Sequence, residues 1–141
     1  MSDHLGIVEL GDVCAAMRTR SLDLFAQLGA WVATASPGEQ QRLFSAACHR
    51  HAWHAELWES RIPAIPTTRA TSLPSAVPTC DDGDDVRRDR YRADLSSLED
   101  DLRSLHARFD PALDPSTART IDLVGRDVVE IAERLDALRT R

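Results

Sequence analysis

Three of the five histidines in this chain lie in one short segment, Cys48 to Glu59, together with two of the three tryptophans. At 100° per residue, His51 and His54 fall within the arc defined by the apolar residues Leu43, Phe44, Ala47 and Trp58. Residues three apart are neighbours on one helix face, so the two imidazoles can share a metal ion or a substrate, or relay a proton. The pattern therefore predicts a buried histidine pair that faces the core and is the candidate functional site.

Residues on facing helices decide whether this pair carries chemistry. A small enzyme or a transition-metal site at His51 and His54 would draw on the candidate supporting residues Cys14, Asp94 and Trp58. The alternative is structural: each imidazole forms hydrogen bonds across the bundle and fixes its register. The candidate partners are then Ser21, Thr117, Thr120, Asp94 and Asp101. The chain contains no phosphate loop, Cys-x-x-Cys or nucleophile elbow, which favours a protein that is not an enzyme.

Four stretches of helical spacing must position these residues. They cover about residues 5–33, 37–62, 84–109 and 116–139. The second helix has a clear start signal, because Ser36 can cap it, Pro37 suits its first position and Glu39 occupies the capping-box position. Asp114-Pro115 or Ser116 is expected to cap the fourth. A length of 141 residues suits one domain, so we expect an all-α four-helix bundle spanning 1–141.

The connections between the helices predict how the bundle is wound. The first pair and the last pair are joined by a few residues, which makes each pair an antiparallel hairpin. The linker 63–83 contains four prolines. About 20 extended residues reach ~65 Å, whereas a helix of about 25 residues is ~38 Å long. This linker can therefore cross the whole bundle, and helices 2 and 3 are predicted to run parallel, with the ferritin-like connectivity.

The stretch HAWHAELWESRIP, at residues 51–63, and this connectivity resemble small actinobacterial proteins of the ferritin-like superfamily. The resemblance is strongest over residues 20–66 and covers the remainder only as bundle architecture. It implies the fold but not the iron site, since the di-iron members bind metal through inward glutamates and Glu-x-x-His motifs. No glutamate of this chain is followed three residues later by histidine. No iron-binding residue can therefore be carried over.

Charge and composition exclude several classes of partner. The formal net charge is −6, and the basic run at residues 87–92 is largely neutralised by neighbouring aspartates, so nucleic acid and anionic membranes are poor partners. No apolar stretch approaches the ~20 residues needed to span a bilayer, and no export signal is visible. Three widely separated cysteines are typical of reduced thiols. We therefore expect a cytoplasmic protein.

Two hypotheses of function follow. The first is a non-catalytic helical interaction or accessory protein, which pairs with itself as a homodimer or binds another protein. Trp53 and Leu57 motivate it, because they lie too far around helix 2 from His51 and Trp58 to share one narrow seam. The linker 63–83 is the competing cover for that second apolar face. The second hypothesis is a small metal-binding protein or enzyme that uses His51 and His54.

Overall fold

The computed structural model describes residues 5–63, 82–112 and 114–139. These form four α-helices, α1 (Ile7–Thr34), α2 (Glu39–Glu59), α3 (Asp84–Ala107) and α4 (Pro115–Arg139), and the described residues contain no strand. The predicted all-α four-helix bundle is therefore confirmed. Each helix has an apolar stripe at helical spacing, and these stripes can be removed from water only by packing against one another.

The helices form two hairpins, α1 with α2 and α3 with α4, which pack side by side. α2 lies against α4, and α1 lies against α3, where Arg20 binds the carboxylate of Asp101 and Arg87 Nη1 donates to the Trp31 carbonyl oxygen at 3.2 Å. Residue numbers rise along α1 as they fall along α3. These two helices are therefore antiparallel.

Helices α2 and α3 run in the same direction, as predicted. Gln40 Nε2 donates to the backbone oxygen of Asp84 at 2.7 Å near the start of both helices, and His51 meets Tyr91 further along both. The end of α2 and the start of α3 consequently lie at opposite ends of the bundle. Of the predicted linker 63–83, residues 64–81 lie outside the described part of the chain.

The start of α4 agrees with the sequence, whereas both ends of α2 depart from it. Of the two caps predicted for α4, Asp114 is the one that forms, and its carboxylate accepts the Thr117 backbone N–H at 3.1 Å. The start of α2 was predicted two residues too early, because Gly38 rather than Ser36 is the N-cap residue. Gly38 has a φ of 158°, which side-chain-bearing residues rarely adopt.

The other end of α2 was predicted three residues too late. The helix ends at Glu59, and the backbone N–H groups of Arg61 and Ile62 then bond to the carbonyls of Trp58 and Glu59. These i→i+3 bonds make a tighter final turn, which often follows the end of an α-helix.

The core is continuous along the bundle axis. Its largest fully buried side chains are aromatic, aliphatic and imidazole groups, namely Trp31, Trp58, Tyr91, Phe44, Leu28, Leu95, Leu135, His51 and His54. Burial of this apolar surface is the main favourable contribution to folding. Among the described helices, none combines the length and the apolar character that crossing a bilayer requires.

Candidate functional site

The histidine pair lies on the core face of α2, and both side chains are completely buried, which confirms the predicted burial. The centroids of the two rings are 5.4 Å apart and the ring planes stand at 80°, because a step of three residues brings side chains to adjacent positions on one face. The rings are therefore neighbours, and each directs its Nε2 atom towards a different helix.

His51 contacts Tyr91 on α3. The Nε2 atom of His51 and the phenolic oxygen of Tyr91 share a hydrogen bond of 2.7 Å. The Tyr91 ring also meets Phe44 edge to face, with centroids 5.7 Å apart. Burial lowers the pKa of His51 to about 3, with a smaller contribution from His54, and burial raises the pKa of Tyr91. Both groups are neutral at pH 7.

His54 contacts α4 through Asp127. Its Nε2 atom lies 2.9 Å from Asp127 Oδ2, and the other carboxylate oxygen binds the guanidinium of Arg50. A carboxylate only accepts hydrogen bonds, so we assign the Nε2–H tautomer to His54. Burial is the largest influence and lowers the pKa of His54, although the hydrogen bond and charge of Asp127 oppose it. The carboxylate thus orients the imidazole, and Arg50 balances its charge.

Three buried nitrogens on the same helix face have no hydrogen-bond partner among the described residues. They are Nδ1 of His51, Nδ1 of His54 and Nε1 of Trp58. The two Nδ1 atoms are the only imidazole nitrogens of the pair that are free to bind a metal, because each Nε2 atom is already engaged. A zinc site needs at least three protein ligands. Within the described parts of the chain, no group of three or more His, Cys, Asp or Glu side chains is placed to hold a metal ion.

The predicted supporting residues Trp58, Cys14 and Asp94 lie in different surroundings. Trp58 lies on the same face and is fully buried. Cys14 is fully buried too, and burial first, and the charge of Asp114 second, raise its pKa to about 11, while the charge of Arg61 lowers it, so its charged neighbours lie at the start of α4 and just after α2. Asp94 is half-buried, and burial raises its pKa against the opposing charges of Arg20 and Arg90. Among the described residues, neither Cys14 nor Asp94 forms a hydrogen bond with either imidazole, although burial first, and the charge of Asp94 second, raise the pKa of Tyr91, the partner of His51.

The actual partners, Tyr91 and Asp127, were missing from the sequence-based set. The proposed partners Ser21 and Thr120 instead bond to backbone carbonyls of their own helices, and Thr117 bonds to Asp114. Two signals were present. Tyr91 is the only tyrosine of the sequence and the first residue of the apolar series along α3. Asp127 directly precedes Val128, in the middle of the apolar series along α4.

Access to the pair is closed in the described structure. Grooves of about 390, 290 and 240 Å³ lie on the surface between α2 and α4, between α3 and α4, and between α1 and α3. Neither histidine lines any of these three grooves. A substrate in one of them would not touch an imidazole.

The opposite face of α2 carries an exposed tryptophan. Trp53 is 42% exposed, whereas Leu57 is half-buried and packs against the core. The wheel places Trp53 about 160° from the centre of the buried arc. Phe25 on the neighbouring helix α1 is 41% exposed, and its backbone oxygen accepts a hydrogen bond from Cys48 Sγ. The α1–α2 hairpin thus has an exposed large aromatic side chain on each of its two helices.

Comparison with known proteins adds no further identification, because no protein-family model, curated protein or solved structure matches the chain.

Proposed function

We propose that the protein is a non-catalytic helical interaction or accessory protein. The observation that carries this proposal is the position of the two histidines. Both are fully buried, and their Nε2 atoms are bound to Tyr91 on α3 and Asp127 on α4. These two hydrogen bonds connect α2 to α3 and to α4, and they fix the positions of the three helices relative to one another. A catalytic base would instead need contact with a substrate.

The outward face of α2 is the contact surface in this proposal. Trp53 exposes 42% of its surface there, and buried tryptophans are among the side chains that dominate binding energy at interfaces. Leu57 contributes at the edge of this surface, since part of it already packs on the core. The binding partner is another protein chain that covers Trp53, and the cytoplasm is the expected compartment.

The direction and order of the helices are consistent with a ferritin-like bundle that lacks a di-iron site. The long connection between α2 and α3 and the antiparallel packing of both hairpins support this assignment. Because unrelated proteins share bundle architectures, the ancestry rests on the resemblance of HAWHAELWESRIP and stays a prediction.

A metal-binding role is the second candidate, and one observation favours it. The Nδ1 atoms of His51 and His54 are buried and have no hydrogen-bond partner among the described residues. Elemental analysis of protein purified without a histidine tag tests this role. A stoichiometric transition metal that disappears in His51→Gln and in His54→Gln would replace the interaction proposal with a metal site.

A pair of matched substitutions tests the contact surface. Trp53→Glu and Val129→Glu each place a carboxylate where a side chain is a little over 40% exposed, but Val129 lies on the groove between α3 and α4. We expect both variants to keep the parent helical content. Only Trp53→Glu should reduce the size of the native complex, measured by gel filtration of extracts and by the molar mass of the purified protein. Equal behaviour of the two variants would contradict the proposal.

A further inference from the structure

We infer that the chain covering the outward face of α2 is a second copy of this protein, related by a two-fold axis that passes α2 at Trp53, with the two α2 helices antiparallel. This inference rests on the proposed function and names its partner. It is argued from the charges that flank Trp53.

Trp53 is flanked by two pairs of residues that repeat at a spacing of seven. Four residues before it and three residues after it stand His49 and Glu56, which share one flank of the helix. Arg50 and Leu57 share the other flank. His49 and Glu56 are both exposed, whereas Arg50 and Leu57 are half-buried against the rest of the bundle.

An antiparallel two-fold arrangement brings the same flank of each helix together with its direction reversed, as in antiparallel coiled coils. His49 of one copy then faces Glu56 of the other, and symmetry repeats this pair. On the second flank, Arg50 faces the partner's Leu57. The Arg50 guanidinium binds Asp127 and lies 3.8 Å from Glu130, so its charge is already balanced within its own chain.

The parallel arrangement gives the opposite result. A two-fold axis along the helix direction would bring opposite flanks together without reversal, so Arg50 would face the partner's His49, and Glu56 would face the partner's Leu57. The Arg50 guanidinium is already paired with Asp127 and Glu130 and would gain nothing from that contact, while the Glu56 carboxylate would lie against an apolar side chain without a hydrogen-bond donor. Charge complementarity therefore selects the antiparallel pairing, because only there does an imidazole N–H face the carboxylate.

Small side chains allow the two helices to approach. Ala46 and Ser60 lie seven residues before and after Trp53, close to the same line on the outer face, and both are exposed. Neither obstructs a helix that crosses at Trp53. Phe25 on α1, whose backbone oxygen accepts from Cys48 Sγ, is a second exposed aromatic side chain of the α1–α2 hairpin. The centre of the contact is therefore aromatic, at Trp53, and its rim is polar, as in most stable protein interfaces.

Charge exchange tests this arrangement with the full chain. The variants are His49→Glu, Glu56→Arg, and the two combined. Asp122→Arg is the control, because Asp122 is an exposed acid on the groove between α3 and α4, away from α2. Light scattering and sedimentation equilibrium over a concentration series give the molar mass and the dissociation constant, and circular dichroism verifies that each variant is folded.

We expect a dimeric parent. His49→Glu should raise its dissociation constant at least about tenfold, because the new carboxylate at position 49 of each copy then faces Glu56 of the other copy. Glu56→Arg should raise it as well, the combined variant should restore the parent value, and Asp122→Arg should leave it unchanged.

Three results would overturn the inference. The first is a parent that is monomeric at about 100 μM, a concentration well above the dissociation constants of stable dimers. The second is a dimer that is unaffected by both single changes, and the third is a dimer that the combined variant fails to restore. A monomeric parent whose native complex still depends on Trp53 would leave the proposed function standing and assign the face to a different protein.

Discussion

His51 and His54 are held in the neutral form by burial. A charged imidazole in the core would lose its hydration, and among the residues that the structure describes only Asp127 faces the pair with a compensating charge. This environment explains why the pKa of both residues lies below the ordinary value, even though His54 donates to a carboxylate. The pair therefore resists protonation as long as the bundle is folded.

The free energy of unfolding should fall as the pH is lowered from 7 to 5. Unfolded His51 has the ordinary pKa of 6.5 and folded His51 a pKa of about 3. The unfolded state therefore binds more protons between these values, and stability is lost as the pH falls through this window. His51 alone should contribute about 2 kcal/mol of loss between pH 7 and pH 5.

Urea unfolding at both pH values measures this loss, and His51→Gln is the control because it lacks the titrating imidazole. The variant should lose clearly less stability between pH 7 and pH 5 than the parent does. Equal losses in the two proteins would show that His51 does not cause the pH dependence.

The sequence predicted the burial of the histidines but not their partners. Burial depends on the spacing of residues within α2, which is fixed by helical geometry. The contacts with Tyr91 and Asp127 depend in addition on how far α3 and α4 are rotated and shifted relative to α2. Those displacements are set by side-chain packing across the whole core. The spacing of residues along each helix does not reveal them.

Asp127 connects α4 to α2 through two polar contacts. Asp127 accepts from His54 and binds Arg50, and only 14% of its side chain is exposed. Its removal would leave a buried imidazole N–H without a partner, which costs more than the lost hydrogen bond itself.

We expect Asp127→Ala to lower the free energy of unfolding by about 1–3 kcal/mol. Asp127→Asn should lower it less, because the amide oxygen can still accept from His54. Glu130→Ala is the matched control, since Glu130 is 43% exposed and lies 3.8 Å from Arg50, and it should change stability by less than about 0.5 kcal/mol. Denaturant unfolding ranks the three variants, and a loss in Glu130→Ala equal to that in Asp127→Ala would contradict the role of Asp127.

Helix existence was easier to predict than helix ends. The steps of three and four along α3 and α4 allow only one interpretation, and the cap at Asp114 has a side chain that can accept from the helix N-terminus. At α2 several competing signals occur together at Ser36, Pro37 and Gly38. The backbone conformation of Gly38 decided between them, and that conformation depends on how the short turn joins α1 to α2.

At the scale of the whole molecule, the parallel course of α2 and α3 determines which residues can meet. It brings His51 alongside Tyr91, and it brings Gln40 alongside the start of α3. An antiparallel course would place the start of α2 beside the end of α3 and would separate both pairs. The contact between His51 and Tyr91 thus depends on the relative direction of α2 and α3.

Spin-label distances provide a test of this winding in solution. Labels at Arg42 and Val86 should lie close together, as should labels at Ser60 and Arg108, because each pair lies at one end of the bundle. Labels at Ser60 and Val86 should be farther apart than the first pair by roughly 15 Å or more, since 18 helical residues separate Arg42 from Ser60, or about 27 Å. All four positions are exposed, so cysteine substitution and labelling should leave the core unchanged.

The native thiols limit the background of this measurement. Cys14 and Cys48 are buried and burial raises the pKa of both, so they should react slowly with the label, and Cys80 is replaced by Ser in every variant. Double electron–electron resonance then gives the three distances. A short Ser60–Val86 distance combined with a long Arg42–Val86 distance would show that α2 and α3 are antiparallel. The histidine–tyrosine contact could not then form, since it requires Tyr91 to lie beside the middle of α2.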